Sequence, residues 1–370
     1  MRETYGVPIF RKHAMTKLIL LGAGKIGETI THFLQASGDY SLTVADHDAG
    51  RLAPMAALGA TTVRCEFGDP AALRDLIRGH EYVISACPFH LTPAIASAAV
   101  DVGAHYFDLT EDVESTRRVK ALAVSAKSAL VPQCGLAPGF ISIVAHAMAA
   151  KFDSLRDVQM RVGALPVYPT NALKYNLTWS TDGLINEYCN PCEAIIDSRL
   201  TETLALEEVE AFSLDGVGYE AFNTSGGLGT LCETLEGKVE NLNYKTVRYP
   251  GHRDIVKMLI RDLRLGQRRE ILKDVLEDAL PMTHQDVVLV FVTVSGMRDG
   301  RLTQESYAKK IYSKTIGGKL YSAIQVTTAA GICAMVDMMR DGILPKRDFV
   351  RQEEADLGKF LANRFGQHYA

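Results

Sequence analysis

A short glycine motif between an apolar run and a helical pattern defines the first structural unit of this chain. Residues 18–21 are apolar, and Gly22, Gly24 and Gly27 follow in the pattern Gly-x-Gly-x-x-Gly. The first glycine permits a tight turn, the second lets another molecule approach the backbone, and the third lets the helix pack close to the strand. A second apolar run then ends in Asp46. This order of elements predicts a β-α-β unit that binds a dinucleotide.

The phosphates of such a dinucleotide bind where the helix begins, because the first N–H groups of a helix have no partner and its dipole is positive there. We therefore predict that the cofactor contacts the whole motif, namely Gly22, Ala23, Gly24, Lys25, Ile26 and Gly27. Asp46 would accept hydrogen bonds from both ribose hydroxyls and would repel a 2′-phosphate. It favours NAD over NADP, and no Arg or Lys follows it directly, although Arg51 is near.

Residues 17–132 alternate apolar runs with helical patterns, which is typical of an α/β Rossmann domain, a doubly wound parallel sheet. The run that ends at residue 85 lies where such a sheet reverses its strand order. Ligands bind at the carboxyl ends of the strands at that point. Residues 86–90 should therefore lie near the nicotinamide, with Ala86 and Pro88 in contact with the cofactor.

After residues 135–139 the pattern changes to longer alternating runs, which predict an α+β domain with a largely antiparallel sheet. The predicted strands are 157–165, 174–180, 240–248, 286–298 and 302–313. Residues 326–343 form a long apolar pattern that we expect to be a helix packed against the first domain. We predict a cofactor domain of residues 15–136 plus about 326–350, a second domain of residues 137–325, and an extension at 1–14.

The composition excludes several classes of partner. The net charge of −4 argues against nucleic acid or an anionic membrane as the main partner, and no apolar run reaches the length of a membrane helix. Seven scattered cysteines predict reduced thiols in a cytoplasmic protein. The pair Cys189 and Cys192 has no second pair and no nearby histidine, so we predict no metal site.

Candidate chemical groups occur in both predicted domains. Asp108 and Glu111 follow a strand that ends at the crevice, and His90 and His252 can carry protons near neutral pH. Arg248 ends an alternating strand before a Pro-Gly turn and can bind a carboxylate in bidentate fashion, or it can form a structural salt bridge. Thr224, before two glycines, can donate a hydroxyl to a polar ligand or can belong to a simple turn.

With these residues the chain resembles the saccharopine dehydrogenase-like family, and within it the lysine 6-dehydrogenase branch. The resemblance runs from about residue 17 to about residue 344. It implies a Rossmann domain completed by the C-terminal helix, and a central α+β domain that binds substrate and forms a homodimer. The matching segments are residues 22–27, 89–90, 108–110, 135–139, 175–176, 180–184, 220–227 and 244–252.

The implied reaction is NAD-dependent oxidative deamination of the ε-amine of L-lysine to 2-aminoadipate 6-semialdehyde, NADH and ammonia. The ε-amine must be neutral before its carbon gives up hydride, so the site needs a base or a desolvated pocket. For that base Asp108, Glu111 and His90 remain alternatives. Arg248, assisted by Thr224, would anchor the α-carboxylate, and Tyr175 and His252 would shape the pocket.

Two alternative functions are also compatible with the sequence. A saccharopine-type reductase that acts on a related amino acid would need a second cationic anchor. The available candidates for that anchor are Arg161, Lys174, Lys245 and Arg253. A non-enzymatic dinucleotide-binding protein is the other alternative, although such a protein would not need a polar cavity in its second domain.

Overall fold

Two large β-sheets, a small two-stranded sheet and the helices packed around them make up residues 15–370, the part of the chain that this computed structural model describes. The strands are β1 (Thr16–Leu21), β2 (Tyr40–Asp46), β3 (Thr61–Arg64), β4 (Tyr82–Ser85), β5 (His105–Asp108), β6 (Ala129–Val131), β7 (Ser154–Pro166), β8 (Cys192–Ile196), β9 (Arg199–Thr203), β10 (Glu210–Leu214), β11 (Val217–Asn223), β12 (Val239–Arg248), β13 (Asp286–Arg298), β14 (Arg301–Tyr312), β15 (Lys314–Ile316), β16 (Lys319–Tyr321) and β17 (Asp348–Phe349). The α-helices are α1 (Lys25–Ser37), α2 (Ala49–Ala57), α3 (Pro70–Ile77), α4 (Thr92–Val102), α5 (Val113–Ala123), α6 (Phe140–Ala149), α7 (Thr181–Cys189), α8 (Leu231–Leu235), α9 (His252–Lys257), α10 (Arg269–Ala279), α11 (Ala323–Arg340) and α12 (Leu357–Ala362). The predicted extension, residues 1–14, lies outside the described residues.

The first sheet is parallel and has the strand order β17-β6-β5-β4-β1-β2-β3. Strands β2 and β3 lie on one side of β1, and β4 lies on the other side. The strand order therefore reverses between β1 and β4. At that point Gly22 has a φ of +105°, and a Cβ built on it would lie 2.6 Å from the Ala86 carbonyl oxygen. Only glycine allows this turn to approach the end of β4, which confirms the predicted position of the crevice.

The second sheet has the order β10-β11-β12-β7-β13-β14, with β8 and β9 attached beside β12. Strand β12 pairs with β7 in parallel, and the other pairs of this sheet among the described residues are antiparallel. The predicted fold class, a Rossmann domain with an α+β domain whose sheet is largely antiparallel, is therefore confirmed. The strands between residues 192 and 223 were not predicted from the sequence.

The predicted strand at residues 174–180 is wrong. The segment is irregular and forms a single β-bridge, between Leu177 and Met282. Lys174 has a φ of +50°, and the Asn171 side chain accepts from the Tyr175 amide at 3.4 Å and donates to its carbonyl at 2.7 Å. A side chain thus bonds the backbone groups that a strand would use, which competes with sheet pairing.

The end of the chain returns to the first domain. Strand β17 pairs with β6 at the edge of the parallel sheet, and α11 packs against α1 and against β13 of the second sheet. One hydrophobic core contains buried residues of β1, β7, β13 and α11. Because this shared core holds both sheets against each other, the carboxyl ends of β4 and β5 face the inner surface of the second sheet.

Candidate active site

A cleft with an empty volume of about 1060 Å³, part of it open to solvent, separates the two domains. Its charged side chains are Glu111, Glu187 and Arg248. Residues from both domains and from α11 line it: Ile26, Ala86, Cys87, Pro88, Phe89, Leu109, Thr110, Glu111, Gly135, Leu136, Ala137, Pro138, Val162, Ala164, Trp179, Ser180, Glu187, Tyr244, Thr246, Arg248, Ile324 and Thr328.

The glycine loop at one end of the cleft fits a dinucleotide. A Cβ on Gly24 would meet no atom within 4 Å, and the start of α1 has no side-chain cap. The Asp46 carboxylate accepts from the Ala23 amide at 2.7 Å and from the Asp48 amide at 2.9 Å, so it fixes the shape of the loop. Free space beside uncapped N–H groups is the surface that a pyrophosphate requires.

Arg248 is the cation that faces the cleft from the second domain. It is 3% exposed, its Nε donates to the Tyr188 hydroxyl at 3.0 Å, and its Nη1 donates to the Val247 carbonyl at 2.9 Å. The guanidinium carbon lies 4.9 Å from the centre of the Tyr175 ring. Within residues 15–370 no carboxylate pairs with it and Nη2 has no acceptor. A buried charge without a counter-ion is costly, so this geometry favours an anionic ligand.

The orientation of Arg248 depends on a neutral histidine behind it. His252 is 1% exposed, and its Nδ1 lies 2.8 Å from the Leu173 carbonyl, so Nδ1 carries the proton. Nε2 then accepts from the Tyr188 hydroxyl at 3.0 Å. Burial and the nearby Arg248 lower the pKa of His252 to about 3, so the ring is neutral at physiological pH. His252 thus orients the Tyr188 hydroxyl so that a lone pair of the tyrosine oxygen points toward Arg248 Nε.

Two carboxyl groups face the same cleft without ion pairs among the described residues. Glu111 follows β5 in the first domain, and Glu187 lies on α7 in the second. Burial raises the pKa of Glu111 to about 7, and the neighbouring Asp112 and Asp108 add to this effect. Burial raises the pKa of Glu187 to about 8, although Arg248 opposes the shift. Perturbed acids in a cleft are typical of functional sites.

Glu187 was not among the residues predicted from the sequence. Its helix, with the sequence TDGLINEYC, carries an ordinary mixture of polar and apolar residues. The next residue, Tyr188, packs in a buried cluster with Tyr175, but this packing is visible only in the structure. Its side chain becomes distinctive only because the fold buries it to 7% exposure beside the cleft.

The structure separates the three candidate bases. Glu111 lines the cleft, whereas His90 is exposed on a short helix at Phe89–Leu91. Asp108 is 1% exposed, and its Oδ1 accepts from the Thr110 amide at 3.0 Å and the Gln133 amide at 2.9 Å. Burial raises the pKa of Asp108 to about 6. Asp108 therefore holds the loops that follow β5 and β6, and does not itself line the cleft.

The other predicted substrate residues lie one layer behind the cleft surface. The Thr224 hydroxyl lies 2.8 Å from that of Thr246, and Thr246 lines the cleft. Tyr175 supports the Arg248 guanidinium with its ring. Of the predicted cofactor contacts beyond the glycine loop, Ala86 and Pro88 line the cleft wall at the end of β4.

The four candidates for a second cationic anchor do not line the cleft. Arg161 pairs with Glu210, and Lys245 lies 3.1 Å from the same carboxylate. Lys174 donates to the Pro250 carbonyl, and Arg253 pairs with the adjacent Asp254. Arg248 is therefore the one cation that lines the cleft among the described residues, and the site is suited to a single carboxylate.

The remaining sequence features add no further chemistry to the cleft. Cys189 and Cys192 are free thiols. The described part of the chain holds no group of three or more metal-ligating side chains. No helix within residues 15–370 combines the length and the apolar character needed to cross a membrane.

A parallel sheet with a glycine loop at its crossover, facing a charged cleft, is the architecture of the dinucleotide-dependent oxidoreductases. Two family models match the chain. The saccharopine dehydrogenase NADP binding domain matches residues 18–131, and the saccharopine dehydrogenase C-terminal domain matches residues 135–368. The chain therefore belongs to the saccharopine dehydrogenase family, which confirms the family resemblance drawn from its motifs. The lysine 6-dehydrogenase branch stays a prediction.

Curated relatives are distant in sequence. The chain is 23% identical over 260 residues to saccharopine dehydrogenase (NADP(+), L-glutamate-forming) of Saccharomyces cerevisiae, a match that covers 66% of this chain and 57% of the yeast enzyme. It is 20% identical over 196 residues to the mitochondrial alpha-aminoadipic semialdehyde synthase of Rattus norvegicus, covering 50% of this chain and 21% of the rat protein. The matched region thus spans little more than half of the yeast relative and about a fifth of the rat relative.

Among solved structures, the apo histidine-tagged saccharopine dehydrogenase (L-Glu forming) from Saccharomyces cerevisiae has a TM-score of 0.77 to this chain. The match covers 94% of this chain and 97% of that chain, at 17% sequence identity. This likeness establishes a shared two-domain fold.

The open space at Gly24 gives a direct test of the dinucleotide site. The Gly24→Ala variant should fold normally, because the added Cβ meets no protein atom within 4 Å and φ is −74°. It should weaken NADH binding about tenfold or more, since a methyl group would occupy the space beside the phosphates. Gly68→Ala, at an exposed glycine with equal free space, is the matched control. Equal NADH affinity of both variants in calorimetric titration would show that the cofactor binds at another site.

Proposed function

We propose that the protein catalyses NAD-dependent oxidative deamination of the ε-amine of L-lysine. The products are 2-aminoadipate 6-semialdehyde, NADH and ammonia. The observation that carries this proposal is the charge pattern of the cleft, which has one arginine and two carboxyl groups. L-lysine has one carboxylate and two amines, so its charges complement those of the cleft. A substrate of the saccharopine type has additional carboxylates, for which the described cleft offers no second cation.

Arg248 anchors the α-carboxylate in this proposal. Its Nε is already bound to Tyr188, so the cleft side of the guanidinium is the part left for the substrate. The Tyr188 hydroxyl and the neutral His252 keep the planar group in one orientation, which a charged histidine in that place would repel. A fixed anchor at the end of the substrate orients the distant ε-carbon, because proximity and orientation reduce the activation barrier.

Glu111 is the base in this proposal. It lies on the first domain, after β5, and lines the cleft together with residues 86–89 at the end of β4. With a pKa of about 7 the carboxyl can change its protonation state near neutral pH, and its ionised form can accept a proton from the ε-ammonium. After this proton passes to solvent, the same carboxylate can remove a proton from the water that attacks the resulting iminium carbon, and return it to the nitrogen so that ammonia leaves. NAD, when bound, supplies the acceptor for the hydride.

NAD is proposed over NADP because Asp46 ends β2 beside the glycine loop. Its carboxylate would repel a 2′-phosphate. Arg51 lies 3.5 Å from Asp48, and Arg64 donates to the His47 carbonyl, so both arginines are engaged near this position. NADP remains the second candidate, since the matching family model is named for NADP. We further propose a cytoplasmic homodimer, from the family resemblance and the seven free thiols.

The second candidate function is a saccharopine-type reductase, which the names of the curated relatives support. One assay separates the possibilities. The protein is incubated with L-lysine and either NAD or NADP, without any keto acid, and reduced dinucleotide is followed by its absorbance. We expect NADH from L-lysine alone. Turnover only with an aldehyde and a second amino acid would establish the reductase, and no turnover with any amine would favour a binding protein.

Removal of the Arg248 charge should affect substrate binding and leave the cofactor site intact. For Arg248→Ala we expect the KM for L-lysine to rise about 30-fold or more, because truncation of one partner of a buried charge pair costs about 2 kcal/mol or more. NADH affinity should not change. Arg253→Ala, which removes an arginine paired with Asp254 outside the cleft, is the control. A KM like that of the control would exclude Arg248 from the carboxylate site.

The pH dependence should report the Glu111 carboxyl. Because the base must be ionised, kcat for L-lysine should fall tenfold per pH unit below about pH 7 and level off above it. Glu111→Gln should lower kcat by about 10²–10⁴ and remove that acidic limb. His90→Gln should leave both rate and limb unchanged. If the limb persists in Glu111→Gln and disappears in His90→Gln, the base is His90.

A further inference from the structure

Among the described acids that are less than a tenth exposed, Glu187 differs from the others because its carboxyl has no partner. Glu353 is 3% exposed and accepts hydrogen bonds from the hydroxyls of Thr230 and Thr234. Asp286 is fully buried and accepts from two amides at the start of α11, including that of Ile324 at 3.0 Å. Within the described residues Glu187 has neither a hydrogen bond to its side chain nor an ion pair. Buried carboxyls normally have partners, so its partner is expected to be a ligand.

The position of Glu187 relative to Arg248 identifies the ligand group. The two side chains line the same cleft, and Arg248 acts on the Glu187 carboxyl electrostatically although the two groups do not form an ion pair. They are also connected through the backbone, because the residue after Glu187 is Tyr188, which accepts from Arg248 Nε. The Ser225 amide donates to the Glu187 carbonyl at 2.9 Å and fixes this turn of α7. A carboxyl group and a guanidinium cation, both from the second domain, thus line the same cleft.

An α-amino acid presents the complementary pair, since its carboxylate and its ammonium are attached to one carbon. We propose that Glu187 binds the α-ammonium of the substrate while Arg248 binds the α-carboxylate. Glu187 thereby makes the cleft selective for α-amino acids over simple ω-amino acids. This inference rests on the proposed function. It assigns the two acids different tasks, with Glu187 at the anchored end and Glu111 at the reacting end of the substrate.

The division of tasks follows from the domains that carry the two acids. Glu111 belongs to the first domain and shares its part of the cleft with residues 86–89. Glu187 belongs to the second domain and neighbours Arg248. The charge of Glu111 also raises the pKa of Glu187, because two ionised carboxylates repel each other. A substrate with two ammonium groups would relieve that repulsion at both ends, whereas a substrate with one amine would relieve it at one end only.

The test compares L-lysine with 6-aminohexanoate, which has the same carboxylate and terminal amine but no α-amine. The wild-type protein should prefer L-lysine in kcat/KM. In Glu187→Gln the value for L-lysine should fall about 30-fold, which is about the loss of one charge-assisted contact, while the value for 6-aminohexanoate changes less than threefold. Glu187→Asp should recover part of the preference. Glu193→Gln, at an acid paired with Arg117 outside the cleft, is the control.

An equal loss for both substrates in Glu187→Gln would overturn the inference, because it would make the residue structural or catalytic. An unchanged preference for L-lysine would also overturn it. Calorimetric binding of the two compounds separates this inference from the proposed function. If neither compound is oxidised but L-lysine binds more tightly and loses that advantage in Glu187→Gln, the inference holds and the proposed reaction fails. If L-lysine has no binding advantage in the wild-type protein, the inference itself fails.

Discussion

The buried guanidinium of Arg248 is the interaction on which the proposed site depends. A charge in this position must be held by neutral groups, because a protein carboxylate would neutralise it and remove its use for a ligand. The fold provides the Tyr188 hydroxyl, the Tyr175 ring and a backbone carbonyl. His252 completes the arrangement from behind, and burial keeps it uncharged. The result is a rigid cation whose remaining coordination faces the cleft.

The rest of the cleft complements that cation. Among the described residues Glu111 and Glu187 have no ion pair, and burial raises the pKa of both carboxyls toward neutrality or above. At neutral pH such groups lower the free energy of unfolding of the empty protein, because the folded state keeps protons that the unfolded chain releases. A cationic ligand that favours the ionised carboxylates would offset this loss of stability. The fold thereby places a glycine loop of the dinucleotide-binding type beside a cleft whose side chains include a cation and two carboxyl groups.

The sequence predicted the features that depend on local spacing. The glycine loop, Asp46 and the strand-helix alternation have short-range patterns, so the first domain and its crevice were predictable. Arg248 was predictable because it ends a regular strand before a Pro-Gly turn. The prediction of a strand at residues 174–180 was wrong because the Asn171 side chain forms hydrogen bonds with the backbone there. Glu187 could not be found, and Asp108 could not be separated from Glu111, because only tertiary packing decides which carboxyl faces the cleft.

The most direct test of this account is a crystal structure of the protein with NADH and L-lysine. The account predicts that the lysine carboxylate contacts Arg248, that its α-ammonium lies against Glu187, and that its ε-amine lies within hydrogen-bond distance of Glu111. The reduced dinucleotide should occupy the loop at residues 22–27. A lysine bound in the opposite direction, with its carboxylate away from Arg248, would contradict the account.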